Sequence, residues 1–245
     1  LAASLFSEDL QDVVQDVLEN TNGTFAVVIR NFKTDEYFTF NERRVFPSAS
    51  LFKLWIMAAT YQQIKSGTIR EVNVLSQEAE KLNEKLEIAT EEATVKEGTI
   101  SMKVSDALDR MITISDNYAA QLLSDKLTVK KISQFLKDEN FADSTYKSPP
   151  TTTALDIAYF FEKLYRGELV DKDYSLRMIN ILKRQELQDR IPKYLPKDIL
   201  VAHKTGELEI YKHDAGIVFT SKGDYVIIAL TDTDDPIGSK YNSLV

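Results

Sequence analysis

The chain has 245 residues, 43% of which are apolar, and it carries a net charge of −8 with a pI near 5.0. This length and composition predict a folded globular protein with a substantial core, whereas the acidic balance argues against a nucleic-acid partner, which requires clustered Lys and Arg. The sequence has no cysteine, two histidines, no Gly-rich nucleotide-binding pattern and no apolar run long enough to span a bilayer, so disulfides, thiol catalysis, a metal, a cofactor and a membrane span are not expected.

The N-terminal part of the chain predicts one helix and two strands. Ser7 is placed as the N-cap of a helix that Gly23 ends, and the apolar residues between them recur at helical spacing. Residues 24–30 and 36–40 have strand patterns on either side of a polar turn at 31–35. Because the chain begins with Leu rather than Met, we interpret it as a processed or trimmed product.

The middle of the chain, from residue 50 to about residue 182, is mostly helical in pattern. Apolar stripes at helical spacing occur in four runs, which are residues 104–114, 116–126, 129–137 and 153–165. The acidic stretch at 77–97 is interpreted as the solvated face of a helix rather than as a binding tail.

Strand patterns return towards the C-terminus. They cover residues 199–204, 210–220 and 224–231, and a turn at 221–223 joins the last two. Few residues follow the last of these strands, so any helix beyond them is expected to be absent, very short or truncated.

Strands at both ends with helices between them predict an α+β fold, in which one antiparallel sheet is built from the two termini and carries a helical insertion. We expect a single domain over residues 1–245, with a sheet lobe at 1–45 and 199–245 and a helical lobe at 50–198. The groove between two such lobes is the expected place for a ligand.

Ser50 opens the most apolar helical run in the chain, and Lys53 lies within that run. A lysine ammonium that is buried without a partner is costly, so this lysine must be paired, be shifted to a low pKa, or extend its amine to solvent along a packed stem. Residues three apart on a helix are neighbours. A neutral Lys53 amine can therefore take the proton of the Ser50 hydroxyl and make Ser50 a nucleophile.

Two similar motifs are interpreted as structural. Ser144 and Lys147 form a second Ser-x-x-Lys, but they lie in a polar stretch that runs into Pro149 and Pro150 and is predicted to be loop. Lys65-Ser66-Gly67 closes an apolar helical run and is predicted to be its C-terminal cap.

Three short motifs stand in one order along the chain, and they are Ser50-Leu51-Phe52-Lys53, Ser115-Asp116-Asn117 and Lys204-Thr205-Gly206. Together with the predicted elements over nearly the whole chain, they resemble the class A β-lactamases and penicillin-binding serine peptidases. The resemblance implies a serine acyl-transfer hydrolase that acts on β-lactams or on D-alanyl-D-alanine-type peptides and esters. Its partner would be a β-lactam or a peptidoglycan stem peptide, in the bacterial cell envelope or outside the cell. A monomer is favoured, although the oligomeric state stays open.

The resemblance also implies a role for each matching residue. Ser50 would be the nucleophile and Lys53 its general base, while Ser115 would relay a proton to the leaving group. Asn117 would hold the substrate amide.

The opposite wall of the site would bind a substrate carboxylate. Lys204 and Thr205 would offer a cation and a hydroxyl there, and Gly206 completes the motif. The backbone N–H of Glu207, with that of Ser50, would form the oxyanion hole.

Arg190 is a further candidate for binding a substrate carboxylate, because some members of the family have an arginine before the Lys-Thr-Gly strand. It lies fourteen positions before Lys204. The alternative is a surface ion pair with Asp189 or Glu186, since exposed pairs are common and weak.

One departure from the family pattern concerns deacylation. Class A β-lactamases carry a glutamate in a Glu-x-x-Leu-Asn motif that activates water to release the acyl group. Residues 141–153 lack that motif, and their one carboxylate, Asp143, is a poor substitute for a positioned base. We therefore expect slow deacylation, as in a penicillin-binding peptidase on a β-lactamase scaffold.

Other functions fit parts of the sequence. A β-lactamase would turn over, whereas a β-lactam or peptidoglycan sensor would acylate once and stop. A Ser-His-Asp hydrolase would use His213 and Asp214, but adjacent strand residues point to opposite faces of a sheet. His203 faces away from the wall that Lys204 lines and is interpreted as a core histidine.

Overall fold

A computed structural model describes residues 8–233 of the chain. Within this range the chain forms eight α-helices, which are α1 Glu8–Glu19, α2 Phe52–Lys65, α3 Ala79–Lys85, α4 Val104–Thr113, α5 Asn117–Leu127, α6 Val129–Asp138, α7 Ala154–Arg166 and α8 Lys172–Leu182. The same range contains nine strands, which are β1 Thr24–Asn31, β2 Tyr37–Phe40, β3 Phe46–Pro47, β4 Val74–Glu78, β5 Thr99–Lys103, β6 Thr151–Thr152, β7 Leu200–Leu208, β8 Tyr211–Phe219 and β9 Tyr225–Asp232. Short 3₁₀ helices at Ala49–Leu51 and Ile191–Tyr194 precede α2 and β7. None of the helices described here has the length and apolar character needed to cross a bilayer.

The main sheet joins the two ends of the described chain. Its order is β2-β1-β9-β8-β7 and all its pairings are antiparallel, with β1 paired to β9 from Thr24↔Asp232 to Asn31↔Tyr225. The predicted α+β fold, with one sheet built from both termini, is confirmed. Helix α7 packs against β1, β8 and β9. A cavity of about 450 Å³ between α7 and the β1–β2 hairpin holds none of the predicted site residues.

Helix α2 runs through the centre of the helical part. Its residues from Lys53 to Tyr61 are all buried, because α4, α5, α6 and α8 pack around it. The helix is therefore apolar nearly all round, as its sequence indicates. Full burial of each large apolar side chain stabilises the fold by about 1.5–3 kcal/mol, so α2 is a firm support for the turn at its N-terminus.

The first helix ends earlier than predicted. α1 stops at Glu19 rather than continuing to Gly23, because the Asn20 side chain donates to the Asp16 carbonyl at 2.8 Å and takes up an acceptor of the last turn. The predicted N-cap, Ser7, lies outside the described residues.

The acidic stretch at 77–97 is only partly helical, so that prediction was partly wrong. Helix α3 covers seven of its residues, the first two belong to β4, and most of the remainder forms turns and bends. The small sheet of β4 and β5, paired from Val74↔Lys103 to Glu78↔Thr99, was not predicted. Its strands are largely exposed and carry few apolar residues, so they have a weak sequence signal.

The two competing motifs are structural, as predicted. Lys65 ends α2, and Gly67 follows in a left-handed conformation with φ of 75° that suits glycine at a helix C-terminus. Ser144 lies in a loop and donates its hydroxyl to Asp156 Oδ2 at 2.8 Å, which ties this loop to α7.

Strands β7 and β8 approach each other closely at Gly216, which lies opposite His203. A Cβ at Gly216 would come within 2.5 Å of both the Ala202 carbonyl oxygen and His203 Cβ. Glycine is therefore required at this position of the sheet.

Candidate active site

The turn that carries Ser50 lies between the sheet and the helical part. Ser50 is partly exposed and belongs to the 3₁₀ helix that precedes α2, because α2 itself begins at Phe52. A Cβ placed on Gly206 would lie 3.3 Å from Ala49 Cβ and from Leu51 Cγ, so β7 runs in direct contact with this turn. A glycine at that position allows the close approach.

Hydrogen bonds fix the chain just before the turn. The Ser48 N–H donates to the Pro150 carbonyl at 2.8 Å. His213 donates from Nε2 to the Pro47 carbonyl at 2.8 Å and accepts the Thr231 N–H at Nδ1 at 3.1 Å, which defines its tautomer. Burial lowers the pKa of His213 to about 4, so the ring is neutral near pH 7. No sequence signal indicates this role of His213, because Pro47 and His213 are 166 positions apart.

The Ser115-Asp116-Asn117 motif forms the bend between α4 and α5. The Asp116 carboxylate caps α5 by accepting the Ala119 N–H at 3.0 Å, and Arg110 Nε donates to its other oxygen at 2.8 Å. Ser115 has φ of 58°, a left-handed conformation that is strained for any residue with a side chain. The contacts of the bend maintain this conformation, which directs both the carbonyl and the hydroxyl of Ser115 towards α2.

Two buried lysines from opposite sides of the groove meet at Ser115. Lys53 Nζ lies 3.1 Å from Ser115 Oγ and donates to the Ser115 carbonyl and to Asn117 Oδ1, each at 2.6 Å. Lys204 Nζ donates to Ser115 Oγ at 3.0 Å and to the Thr205 carbonyl at 2.8 Å. We refer to Lys53, Ser115 and Lys204 together as the lysine cluster.

Burial controls the protonation of both lysines. It lowers the pKa of Lys53 to about 7, although the negative charge of Asp116 opposes the shift. Burial, and next the charge of Lys53, hold the pKa of Lys204 well below its usual value. Two ammonium groups on one hydroxyl would repel each other, so the cluster favours a neutral amine near pH 7. A neutral amine has two N–H donors and one lone pair, so Lys53 can keep both 2.6 Å bonds and still accept a proton.

Lys53, which was expected to reach the Ser50 hydroxyl, makes no hydrogen bond to it in the resting geometry. In the part of the chain that the structure describes, the Ser50 hydroxyl makes no hydrogen bond, and Lys53 is bound to Ser115 and Asn117. The bend at Ser115 explains this arrangement, because it places two acceptors, the Ser115 carbonyl and Asn117 Oδ1, at the Lys53 amine. The Ser50 hydroxyl is thus available to a ligand, and the role of Lys53 as its base stays a prediction.

The wall opposite α5 is the edge strand of the described sheet, β7. Because side chains alternate along a strand, Lys204 projects from one face, whereas Thr205 and Glu207 project from the other. Gly206 contacts the Ser50 turn, as described above. The predicted substrate contacts of Thr205 and the oxyanion role of the Glu207 N–H stay predictions.

Arg190 is buried against β7 and β8. Its Nη1 donates to the carbonyls of Gly206 at 3.2 Å and His213 at 2.9 Å, and its Nη2 donates to Glu207 Oε2 at 2.5 Å. The guanidinium therefore packs against β7 at the end of the Lys-Thr-Gly motif.

The alternative interpretation of Arg190, a surface ion pair with Asp189 or Glu186, is confirmed in one part and wrong in the other. Asp189 Oδ2 pairs with Arg190 Nε at 3.9 Å, but the Arg190 side chain is 4% exposed and does not lie at the surface. Glu186 makes no ion pair with it in the described structure, and Nε has no hydrogen-bond partner there. Burial removes Arg190 from the surface because two strands supply carbonyl acceptors.

His203 and Asp214 form a buried pair on the face of β7 opposite Lys204. His203 Nδ1 lies 2.9 Å from Asp214 Oδ1, and Asp214 Oδ2 accepts the Ile191 N–H at 3.0 Å. Neither His203 nor His213 bonds to a serine hydroxyl in residues 8–233, so the described geometry contains no Ser-His-Asp triad. His203 is a core histidine, as predicted.

The loop 141–153 and α5 border a cavity of about 340 Å³ beside Asn117. Its lining includes Gln121, Tyr146, Lys147 and Ser148, and no lining residue carries a carboxylate or an imidazole. Asp143 is not part of the lining and lies 3.8 Å from Arg43 instead. This cavity therefore has no group suited to act as a general base on water.

The α+β fold, with its motif serines and buried lysines gathered at one groove, is that of the β-lactamase-type serine hydrolases. A family model described as the beta-lactamase enzyme family matches residues 8–243. The chain therefore belongs to the beta-lactamase enzyme family.

Solved structures share the fold over almost the whole chain. A β-lactamase from Sphaerobacter thermophilus is 21% identical, with 97% of this chain and 94% of that chain covered and a TM-score of 0.84. PBP-A is 23% identical, with 98% and 94% covered and a TM-score of 0.82. A PBP-A variant, solved as an acyl-enzyme complex with penicillin G, is 23% identical, with 95% and 91% covered and a TM-score of 0.80. No curated protein matches the sequence.

Proposed function

We propose that the chain is a serine acyl-transfer hydrolase that is acylated on Ser50 by β-lactams or by D-alanyl-D-alanine-type peptides and esters. The observation that carries the proposal is the meeting of Lys53 and Lys204 at the Ser115 hydroxyl, next to the partly exposed turn of Ser50. Two buried amines on one hydroxyl are costly for stability and suited to proton transfer, which favours a catalytic purpose.

In the proposed acylation, Ser50 Oγ attacks the substrate carbonyl carbon and its proton passes to neutral Lys53. The backbone N–H groups of Ser50 and Glu207 donate to the oxygen that becomes negative. The bond from the carbonyl carbon to the leaving nitrogen, oxygen or sulfur then breaks. Ser115 gives its proton to that leaving atom and regains one from Lys53, which balances the transfer.

The remaining motif residues bind the substrate in this proposal. Asn117 holds the amide on the acyl side, next to the cavity bordered by the loop 141–153. Lys204, Thr205 and Arg190 belong to the wall that faces the leaving-group side. The penicillin G acyl-enzyme of the PBP-A variant supports β-lactams as a substrate class.

We further propose that deacylation is slow. The cavity beside Asn117 is the space from which water can approach the ester, and its lining has no carboxylate. Without a general base, hydrolysis loses a contribution of about a hundred- to ten-thousand-fold. The acyl-enzyme is expected to persist, as in a penicillin-binding peptidase.

Intact-protein mass spectrometry after mixing with penicillin G tests the proposal. A stable adduct of one penicillin, mapped to Ser50 by peptide digestion, is the expected result. Rapid loss of the adduct with hydrolysis of the drug would instead indicate a β-lactamase. A permanent adduct, with no turnover of D-alanyl esters, would indicate a sensor. Absence of any adduct would contradict acyl transfer on Ser50.

We also propose that the protein acts as a monomer outside the cytoplasm, where peptidoglycan peptides and β-lactams are met. Fractionation of cells that produce the natural protein tests the location. Recovery with the cytoplasmic proteins would contradict it.

A further inference from the structure

Lys147 carries the one charged side chain in the lining of the cavity beside Asn117. The other lining residues are apolar or have uncharged polar groups, and the apolar ones come mainly from α2, α5 and α6. Lys147 is exposed, and no ion pair or side-chain hydrogen bond within residues 8–233 includes it. A ligand in this cavity therefore meets apolar surface and a single positive charge.

The backbone on both sides of Lys147 is attached to the elements that carry the site. Before it, the Tyr146 hydroxyl shares a hydrogen bond with Ser124 Oγ on α5 at 2.9 Å, and the Tyr146 ring packs against α2. After it, the Pro150 carbonyl accepts the Ser48 N–H at 2.8 Å, two residues before the proposed nucleophile. These anchors keep the Lys147 cation at the cavity, so a ligand does not bear the cost of ordering a free loop.

The carboxylates that lie close to this cavity in sequence are already paired. Asp125 follows a lining residue of α5, and its two oxygens accept from Lys85 at 2.7 Å and from Gln121 at 2.9 Å. Asp143 belongs to the same loop as Lys147 and is paired elsewhere, as described above. Neither carboxylate neutralises Lys147, so its charge is available to a ligand.

We infer that Lys147 is a specificity-determining residue that binds a carboxylate on the acyl part of the substrate. The inference rests on the proposed function, because it names the acyl group for the site in which Asn117 holds the substrate amide. The favoured acyl donors carry a short aliphatic chain that ends in a carboxylate. The chain contacts the apolar lining, and the carboxylate pairs with the Lys147 ammonium.

This preference concerns the acyl side of the substrate alone. It is compatible with a second carboxylate on the leaving-group side, which the wall formed by β7 would bind. An acyl chain in the cavity also leaves less room for water, in agreement with the slow deacylation proposed above.

A matched pair of penicillins measures the preference. Both have the same penicillin nucleus, and hence the same carboxylate on the leaving-group side. They differ only at the end of the acyl side chain, which is adipoyl in one and the monoamide of adipoyl in the other. The quantity compared is the ratio of the second-order rate constants of acylation, charged side chain over neutral side chain, obtained from the intact mass of the protein at short reaction times.

Three variants are compared with the parent, and they are Lys147→Gln, Lys147→Arg and Lys126→Gln. Gln at position 147 removes the charge and keeps a polar side chain, whereas Arg keeps the charge. Lys126 is exposed on α5 and is not part of the cavity lining. Its substitution therefore removes the same charge from the protein and leaves the cavity as it is.

The parent is expected to react with the charged penicillin about fivefold faster than with the neutral one, the upper range for an exposed ion pair. Lys147→Gln should bring the ratio to about one, and Lys147→Arg should keep the parent ratio. Lys126→Gln should change the ratio by less than about 1.5-fold, because solvent and salt screen a distant exposed charge.

Two kinds of failure are distinguishable. Equal rates in the parent, or an unchanged ratio in Lys147→Gln, would overturn the inference, while the adducts themselves would still support acyl transfer. An equally large loss in Lys126→Gln would indicate an effect of net charge and would also overturn the inference. Absence of an adduct with either penicillin would overturn the proposed acyl transfer and the inference with it.

Discussion

The two sides of the groove at Asn117 differ in their chemical groups. On one side, the lysine cluster brings two buried amines to within 3.0 and 3.1 Å of one serine oxygen. On the other side, the loop 141–153 presents hydroxyls, an aromatic ring and a cation, and its one carboxylate lies away from the cavity. Forming an acyl ester and hydrolysing it require separate groups, so one capacity can be present without the other. We expect this protein to acylate well and to deacylate slowly.

Ser50→Ala is the strongest test of the acylating side. The substitution removes one hydroxyl from a partly exposed turn, so the fold should persist while labelling by penicillin falls more than about a thousandfold. Intact-mass measurement gives the labelling, and circular dichroism checks the fold. Labelling at the parent rate would move the nucleophile away from Ser50.

Lys53→Met tests whether the amine of the cluster is a base. We expect acylation to fall by about a hundred- to ten-thousand-fold, because Met fills the space of the lysine stem and cannot accept a proton. Stopped-flow measurement with a chromogenic β-lactam gives the rate. Acylation near the parent rate would show that Lys53 is not required.

The same variant should be more stable than the parent, in a pH-dependent way. Below about pH 7, Lys53 is protonated in both the folded and the unfolded chain, and the folded chain bears the full cost of the buried charge. Between about pH 7 and its usual pKa, the unfolded chain binds the extra proton, so parent stability rises with pH. The gain of Lys53→Met, about 1–4 kcal/mol, should therefore be greatest below pH 7 and shrink towards pH 10. Urea unfolding at pH 6 and pH 9 measures it, and a gain that grows with pH would contradict the assignment.

A glutamate introduced into the cavity beside Asn117 tests the side of the groove that lacks a general base. Ser148 lines the cavity beside Asn117, so Ser148→Glu is expected to speed deacylation by up to about a hundredfold and to leave acylation within about threefold. Ser148→Gln matches its shape without the base, and Ala142→Glu adds the charge to the same loop outside the cavity lining. Decay of the penicillin adduct measures the effect, and equal decay in all three variants would contradict the proposal.

If the parent protein hydrolyses penicillin at ordinary β-lactamase rates, the proposed difference between the two sides of the groove is wrong. Another base would then be required. Glu92 is the next candidate, because it lines a second cavity on the other side of Asn117, together with Asp116. Asp116 itself is bound by Arg110 and caps α5.

The pH dependence of acylation is the smallest expected effect. With the pKa of Lys53 at about 7, the neutral fraction of its amine rises about tenfold between pH 6 and pH 8, and the acylation rate should follow it. Removal of the charge that opposes this shift, in Asp116→Asn, should move the rising limb to lower pH. A flat profile over this range would exclude Lys53 as the base.

Short local motifs identified residues that the structure brings together, because Lys53 and Lys204 both contact Ser115, and their catalytic roles stay predictions. Lys53 stood out because a cation within an apolar helix requires an explanation, and the structure buries it completely. The sheet was predicted from its alternating apolar strands at both ends. The sequence could not predict that Lys53 and Lys204 meet at one hydroxyl, because this depends on the packing of β7 against the 3₁₀ turn that precedes α2.

Contacts between distant segments account for what the sequence did not show. A surface ion pair was one of two interpretations of Arg190, since nothing in its sequence neighbourhood indicates that two strands bury it. His213 gave no sign that it would bind the chain before Ser50. The β4–β5 pair has a weak pattern, because half-exposed short strands carry few apolar residues.

Gly216 lies outside the groove, yet it contributes to which side chains of β7 face the groove. A shift of β7 by one residue along β8 would bring Gly216 opposite Ala202 or Lys204, and the two-residue period of a strand would exchange the faces of Lys204 and Thr205. That shift would place a residue with a Cβ opposite His203, where the observed spacing admits none. Because no Cβ fits at the position opposite His203, this close contact favours a single register of β7 and β8. The orientation of the Lys204 amine is therefore encoded, in part, by a residue that has no side chain.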